Sequence, residues 1–172
     1  MKRVYDLTNL VLLLLTAFFV NASYHRLPER IPMHFDMAGR PDRWSGRDGI
    51  IILVVIPFVL TGVFYLLIRL IPRLGANPRY LNIPRKAEFL RLPPEKQDIY
   101  WALYKEFFAG LTAALNFLFY LIIRATVQVA TGELGLLPFR AVLPALVFMA
   151  LIMSVYIRRM FVLPGRLIRG DE

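Results

Sequence analysis

Apolar residues run in four long blocks along this chain, separated by polar, turn-rich stretches, and are not spread as the alternating positions of a soluble core. About 20 mostly apolar residues in a helix cross the hydrocarbon of a bilayer. The pattern therefore predicts spans over 7–24, 49–71, 107–130 and 139–162. The first, centred on NLVLLLLTAFFV, is a little short. Pro57 and Pro144 fall inside the second and fourth, where proline is tolerated if neighbouring helices satisfy the freed carbonyls. The predicted fold class is an all-α integral membrane protein with four transmembrane helices, forming a single membrane domain over 1–172.

The loop 25–48 holds most of the stretch LPERIPMHFDMAGRPDRWSGRDG, Leu27 to Gly49. Alternation within Ile31 to Asp36 puts Ile31, Met33 and Phe35 on one face and His34 and Asp36 on the other. Met37-Ala38-Gly39-Arg40 and Pro41-Asp42 then supply a turn, with Gly39 free to take a positive φ. Arg43 to Gly49 leads back to the membrane, and Trp44 suits its interface. The expectation is a short ordered loop, a small hairpin or extended cap over the end of the bundle.

The connection 72–106 reads differently. Pro72, Pro78, Pro84, Pro93 and Pro94 keep its first part irregular, each removing a backbone donor. From Pro94 the run PEKQDIYWALYKEFF starts as a helix should, with proline first and Glu95 close behind. Ile99, Leu103 and Phe107 form one stripe, and Tyr100, Tyr104 and Phe108 another beside it. These stripes predict a cytoplasmic amphipathic helix at the membrane surface, with Trp101 and the tyrosines at headgroup level. An aromatic docking face for a cytoplasmic or membrane protein partner is the alternative. One unbroken helix over 94–130 would be about 55 Å long at ~1.5 Å per residue. That exceeds a ~30 Å hydrocarbon core, so it either projects from the bilayer or bends near Gly110.

Charge sets the expected orientation. Fourteen Lys and Arg residues lie at the N-terminus, in or beside the connection 72–106 (counting Arg69) and towards the C-terminus from Arg158, against six in or beside the two remaining loops (counting Arg140). Such a bias places the richer side in the cytoplasm, with both termini inside and loop 25–48 outside. The net charge of +9 then reflects orientation and contact with anionic lipid at the cytoplasmic face. No compact basic motif of a nucleic-acid fold accompanies it. The hydrophobic share of 58% exceeds the roughly 45–50% of soluble domains. Cysteine is absent, which excludes disulfides, thiolate nucleophiles and Cys-bound metal. Met1-Lys2-Arg3, the first apolar run and Val20-Asn21-Ala22 also have the layout of a secretory leader, against which Asp6 argues.

Within the spans, Thr112, Asn116, Tyr120, Arg124 and Gln128 recur every four residues, a slowly spiralling polar stripe. Thr61, Tyr65 and Arg69 form a shorter counterpart. Polar groups at this depth face other helices or a wet cavity, so hydrogen-bonding glue is expected, with a ligand groove as the alternative. Arg124 lies nearer the surface, where it can snorkel, or meet Glu133 or an acidic residue of the loop 25–48. No carboxylate or lysine falls deep in a predicted span, which argues against proton-coupled transport.

His34, Asp36 and His25 make a minimal acid–base or metal-ligand set. His-x-Asp alone is unspecific, and neither His-Glu-x-x-His, Gly-x-Ser-x-Gly nor a phosphate-cradling loop occurs. No catalytic residue, cofactor or metal is expected.

The pattern Tyr24-x-x-Leu27-Pro28-x-x-Ile31-Pro32-x-His34-Phe35-x-x-x-Gly39-x-x-Asp42, set between two spans, is more specific. It resembles a bacterial membrane domain of unknown function that forms the N-terminal part of immunity proteins against the sporulation-delaying-protein toxin. Arg47 stands near where that family often has a basic residue before the second span. The resemblance implies a multi-pass protein of the bacterial cytoplasmic membrane with this loop outside. It marks Leu27, Pro28, Ile31, Pro32, His34, Phe35, Gly39, Asp42 and Arg47 as the positions that matter, and Asn116, Tyr120 and Arg124 join them as intramembrane polar candidates. The chain departs from the immunity proteins in having four spans. The expected function is non-enzymatic, immunity-like or signalling, with an extracytoplasmic peptide or envelope ligand bound at 25–48. An accessory subunit of a larger membrane complex is the alternative.

Overall fold

A computed structural model describes residues 2–74 and 82–170. In order they form α1 (Lys2–Ser23), a short 3-10 turn (Tyr24–Arg26), β1 (Arg30–Phe35), β2 (Pro41–Gly46), α2 (Gly49–Leu74), α3 (Lys86–Phe89), α4 (Pro94–Ala130) and α5 (Phe139–Arg169). Four of these helices are long and apolar enough to cross a membrane, the signature of a membrane protein. α4 is the centre of the assembly: α1, α2 and α5 all pack on it.

Each long helix exceeds the span its apolar block suggests. α1 begins at Lys2, whose Nζ donates to Asp6 Oδ2 at 2.7 Å one turn on. α2 continues through Pro72, because a proline in the last turn sacrifices a single backbone bond. α5 runs on to Arg169 and stops at Gly170, whose φ of +80° is the left-handed conformation that closes a helix.

The connection 72–106 departs most from expectation. Pro78 and Arg79 lie outside the described residues. Beyond them, Arg85 takes a left-handed φ of +54° and pairs with Glu88 at the start of α3. α4 then runs without interruption from Pro94 to Ala130, with no break at Gly110. Gly110 instead lies against α1, where an added Cβ would meet the Tyr5 ring at 3.2 Å. The aromatic stripe is not laid out along a surface. Tyr100, Trp101, Tyr104 and Phe107 are buried, and Phe89 of α3 sits 5.1 Å from the Tyr100 ring and 5.3 Å from Trp101. Folding these rings against α3 and α5 removes more apolar area from water than a one-sided surface helix would.

Two cores result. One joins Phe89, Leu92, Tyr100, Trp101 and Phe107 to Tyr156, Met160 and Leu167 of α5. The other, at the opposite end of α4, joins Val20, Leu27, Ile31, Ile50, Ile123 and Val127.

Candidate functional site

The second core is the footing of an antiparallel hairpin, β1 on β2, in which Arg30 faces Gly46, Ile31 faces Ser45, Pro32 faces Trp44 and Phe35 faces Pro41. The register shifts on either side of His34, so the inward alternation is irregular: Pro32 is buried as well as Ile31. Met33 and Phe35 are half-buried, while His34 and Asp36 are exposed.

The turn is built by Asp36. Its Oδ1 accepts from the amides of Ala38 and Arg40, both at 2.8 Å, and its backbone pairs with Arg40 and Gly39. That use of the carboxylate is the side-chain turn Asp favours, and His34 takes Asp42 as its partner instead. Gly39 takes φ +78°, and its carbonyl accepts from Leu137 N at 2.8 Å, so the hairpin tip is bonded to the link between α4 and α5. A Cβ at Gly39 would collide with the Leu137 carbonyl.

The base of the hairpin is stitched separately. Arg47 N donates to Glu29 O at 2.9 Å, and Arg47 Nε reaches Pro28 O at 3.5 Å. The Arg47 guanidinium lies 5.9 Å from the Tyr24 ring, and Tyr24 Oη donates to Asp48 at the start of α2. The outward face carries His34 Nδ1, 2.6 Å from Asp42 Oδ1, with both side chains exposed. Elsewhere on the hairpin Met37 is fully exposed, Trp44 is 48% exposed, and Arg40 and Arg43 are exposed. The predicted positions thus divide. Leu27, Ile31, Pro32 and Gly39 are buried scaffold, Pro28 and Arg47 are joints, Phe35 is half-buried, and His34 with Asp42 faces outward. His25 is elsewhere, edge-on to the Tyr24 ring. Among the described residues no three His, Asp or Glu side chains come together as a metal site.

The intramembrane candidates also separate. Asn116 is buried at the meeting of three helices: its Nδ2 donates to Asn9 Oδ1 at 2.8 Å and to Thr61 Oγ1 at 3.0 Å. Asn9 Nδ2 donates to the Ala109 carbonyl at 3.1 Å, and Tyr65 Oη donates to Asp6 Oδ1 at 2.5 Å. Lys2, Asp6, Asn9, Thr61, Tyr65 and Asn116 form one connected chain of polar groups joining α1, α2 and α4. Tyr120 stands outside it, edge-on to Phe19 at 6.2 Å. Arg124 is exposed, and Glu133 accepts from Gln128. Thr61, Tyr65 and Asn116 lie on the polar stripes that helical spacing picks out, whereas Asn9 lies on neither and Asp6 stands out in the sequence only as a charge against a secretory leader. Asn9, Thr16 and Ser23, polar and seven residues apart in a largely apolar helix, were the signal for an inward face of α1, and all three are buried.

Residues 11–61 match the family model of a domain of unknown function, DUF1648. The match takes in the hairpin together with parts of α1 and α2. An uncharacterised protein of Archaeoglobus fulgidus is 26% identical over 94 residues, 54% of this chain and 51% of that one. The chain spans about half the length of this curated relative. No solved structure matches.

Proposed function

We propose that this is a non-enzymatic multi-pass protein of the bacterial cytoplasmic membrane, which recognises an extracytoplasmic peptide or envelope ligand through the outward face of its hairpin. The supporting observation is the division of labour within residues 27–47. Buried Ile31 and Pro32 and the Gly39–Leu137 bond hold the hairpin rigidly on the bundle. The hairpin so fixed exposes Met37, Trp44, Arg40, Arg43 and the His34–Asp42 pair, none of which belongs to either buried core. Exposed tryptophan, methionine and arginine on a preorganised support are the composition of a recognition surface. Immunity against an exported peptide toxin is the specific form of this reading that the loop's motif favours.

The test is protection of a sensitive bacterium making this chain, challenged with the sporulation-delaying-protein toxin. Trp44→Ala and Asp42→Ala should abolish protection with membrane abundance unchanged. Equal survival with and without the wild-type chain would sink the immunity reading. Loss of abundance in both variants would return these residues to the scaffold.

A second reading, an accessory subunit of a larger membrane complex, draws on α2. Ile51, Ile52, Val55 and Val59 leave one side of that helix uncovered by the rest of the chain. Extraction in a mild detergent separates the readings: a discrete larger assembly supports the subunit, and a lone monomer or dimer opposes it.

A further inference from the structure

A second candidate site lies at the other end of the molecule. Between the N-terminal third of α4 and the last turns of α5 is a cavity of about 480 Å³. Leu103 and Val162 give it apolar walls, and its charged groups are Arg158, Arg159, Arg166 and Glu106. Three guanidinium groups against one carboxylate leave two positive charges in surplus. Arg159 and Arg166 are seven residues apart, which returns them to nearly the same face of α5 two turns on. Behind them Tyr156 is fixed: its Oη lies 3.5 Å from Glu106 Oε2 and 3.5 Å from Tyr5 Oη, and the Arg159 guanidinium is 5.6 Å from its ring.

The position of this cavity narrows the ligand. Tyr5, near the start of α1, packs at Gly110 of α4, and the cavity lies on the N-terminal side of that level, along Ile99 to Glu106. The cavity therefore opens where the bundle of apolar helices gives way to their extension, at headgroup height if those helices span a bilayer. Val155 and Leu151, one and two turns back from Arg158 along α5, are exposed and apolar.

We infer that the cavity binds the headgroup of an anionic phospholipid from the adjacent leaflet. Its phosphate sits among Arg158, Arg159 and Arg166, and its acyl chains run down the exposed face of α5. Arginine suits this role because its planar fork meets phosphate oxygens in pairs. A free phosphate would need the arginines alone, whereas the apolar walls and the stripe below them match a lipid. The inference rests on the four helices being membrane spans and is independent of the hairpin's role.

The full chain, purified in detergent, would be titrated with phosphatidylglycerol and, separately, phosphatidylcholine of the same acyl chains, with bound lipid counted by native mass spectrometry. One phosphatidylglycerol should bind roughly tenfold or more tightly than phosphatidylcholine, at about a few-fold to tenfold per surface arginine. The double variant Arg158→Gln/Arg166→Gln should lose that preference, and Arg3→Gln, outside the cavity, should keep it. Glu106→Gln should tighten phosphatidylglycerol binding severalfold, and it decides the matter if the double variant fails to fold. Equal affinity for the two lipids, or no change in Glu106→Gln, overturns the inference. Displacement of the lipid by an equal concentration of glycerol phosphate overturns it too, in favour of a free-anion site. A chain that stays soluble and monodisperse without detergent would instead overturn the membrane reading itself.

Discussion

Gly39 has no room for a side chain, and two independent reasons agree. Its φ of +78° disfavours any residue with a Cβ by about 1–2 kcal/mol, and that Cβ would meet a backbone carbonyl, which cannot rotate aside. Gly39→Ala should therefore cost at least about 2 kcal/mol, read as a fall of several degrees in the detergent melting temperature by circular dichroism. An unchanged melting point would mean that the tip is not bonded to Leu137. Asn116 is the comparable residue in the bundle. Asn116→Leu strands Asn9 Oδ1 and Thr61, both on neighbouring helices. A buried group without a partner costs about 1–3 kcal/mol, but side-chain hydrogen bonds between membrane helices average about 0.6 kcal/mol. With two bonds lost, a destabilisation of about 1–2 kcal/mol is expected. The double variant Asn9→Leu/Asn116→Leu should cost less than the sum of the single changes, since neither then leaves the other unpaired.

Among the elements, the hairpin depends on a partner distant in sequence. Its own ladder is short, and an isolated two-stranded hairpin is marginal in water. What holds it is Ile31 in the core beside Ile123 and Val127, and the bond from Leu137 N to the Gly39 carbonyl. The link between α4 and α5 should accordingly be slower to exchange than a loop of its composition. In hydrogen-exchange mass spectrometry a peptide covering 134–138 should show one strongly protected amide, lost in Gly39→Ala. Exchange at the same rate in both proteins would dissociate the hairpin from the link. α4 shows how an element can be read correctly in its parts and differently as a whole. Its proline start and its aromatic stripe are both present, yet the stripe is turned inward by α3 and α5. Helical spacing says which residues share a face; it does not say what that face meets.

At the scale of the whole molecule, the two ends of α4 carry different chemistry. One end bears the hairpin on an aliphatic core, and the other an aromatic core flanked by arginines. The bias of Lys and Arg predicts that the aromatic, basic end is cytoplasmic. The absence of cysteine makes this direct to measure. Met37→Cys, fully exposed at the hairpin tip, and Ala87→Cys, exposed on α3, would be labelled in intact cells with an impermeant thiol reagent. Labelling at 37 and not at 87 is expected. The reverse would invert the topology and remove the hairpin from any external ligand.

The sequence by itself determined the four helices long and apolar enough to cross a membrane and the turn at Gly39, and left open whether a small hairpin or an extended cap surrounds that turn. These follow from local rules: a helix satisfies its own backbone, apolar length sets what crosses a bilayer, and a positive φ selects glycine. Only the tertiary structure decided that Gly39 meets Leu137, that Asn9 meets Asn116, that Asp36 serves its own turn while Asp42 takes His34, and that Arg158, Arg159 and Arg166 share a cavity with Glu106. Asn9 and Asn116 are 107 residues apart. Their meeting is set by how whole helices pack, a property of complementary surfaces with no local period along the chain to announce it.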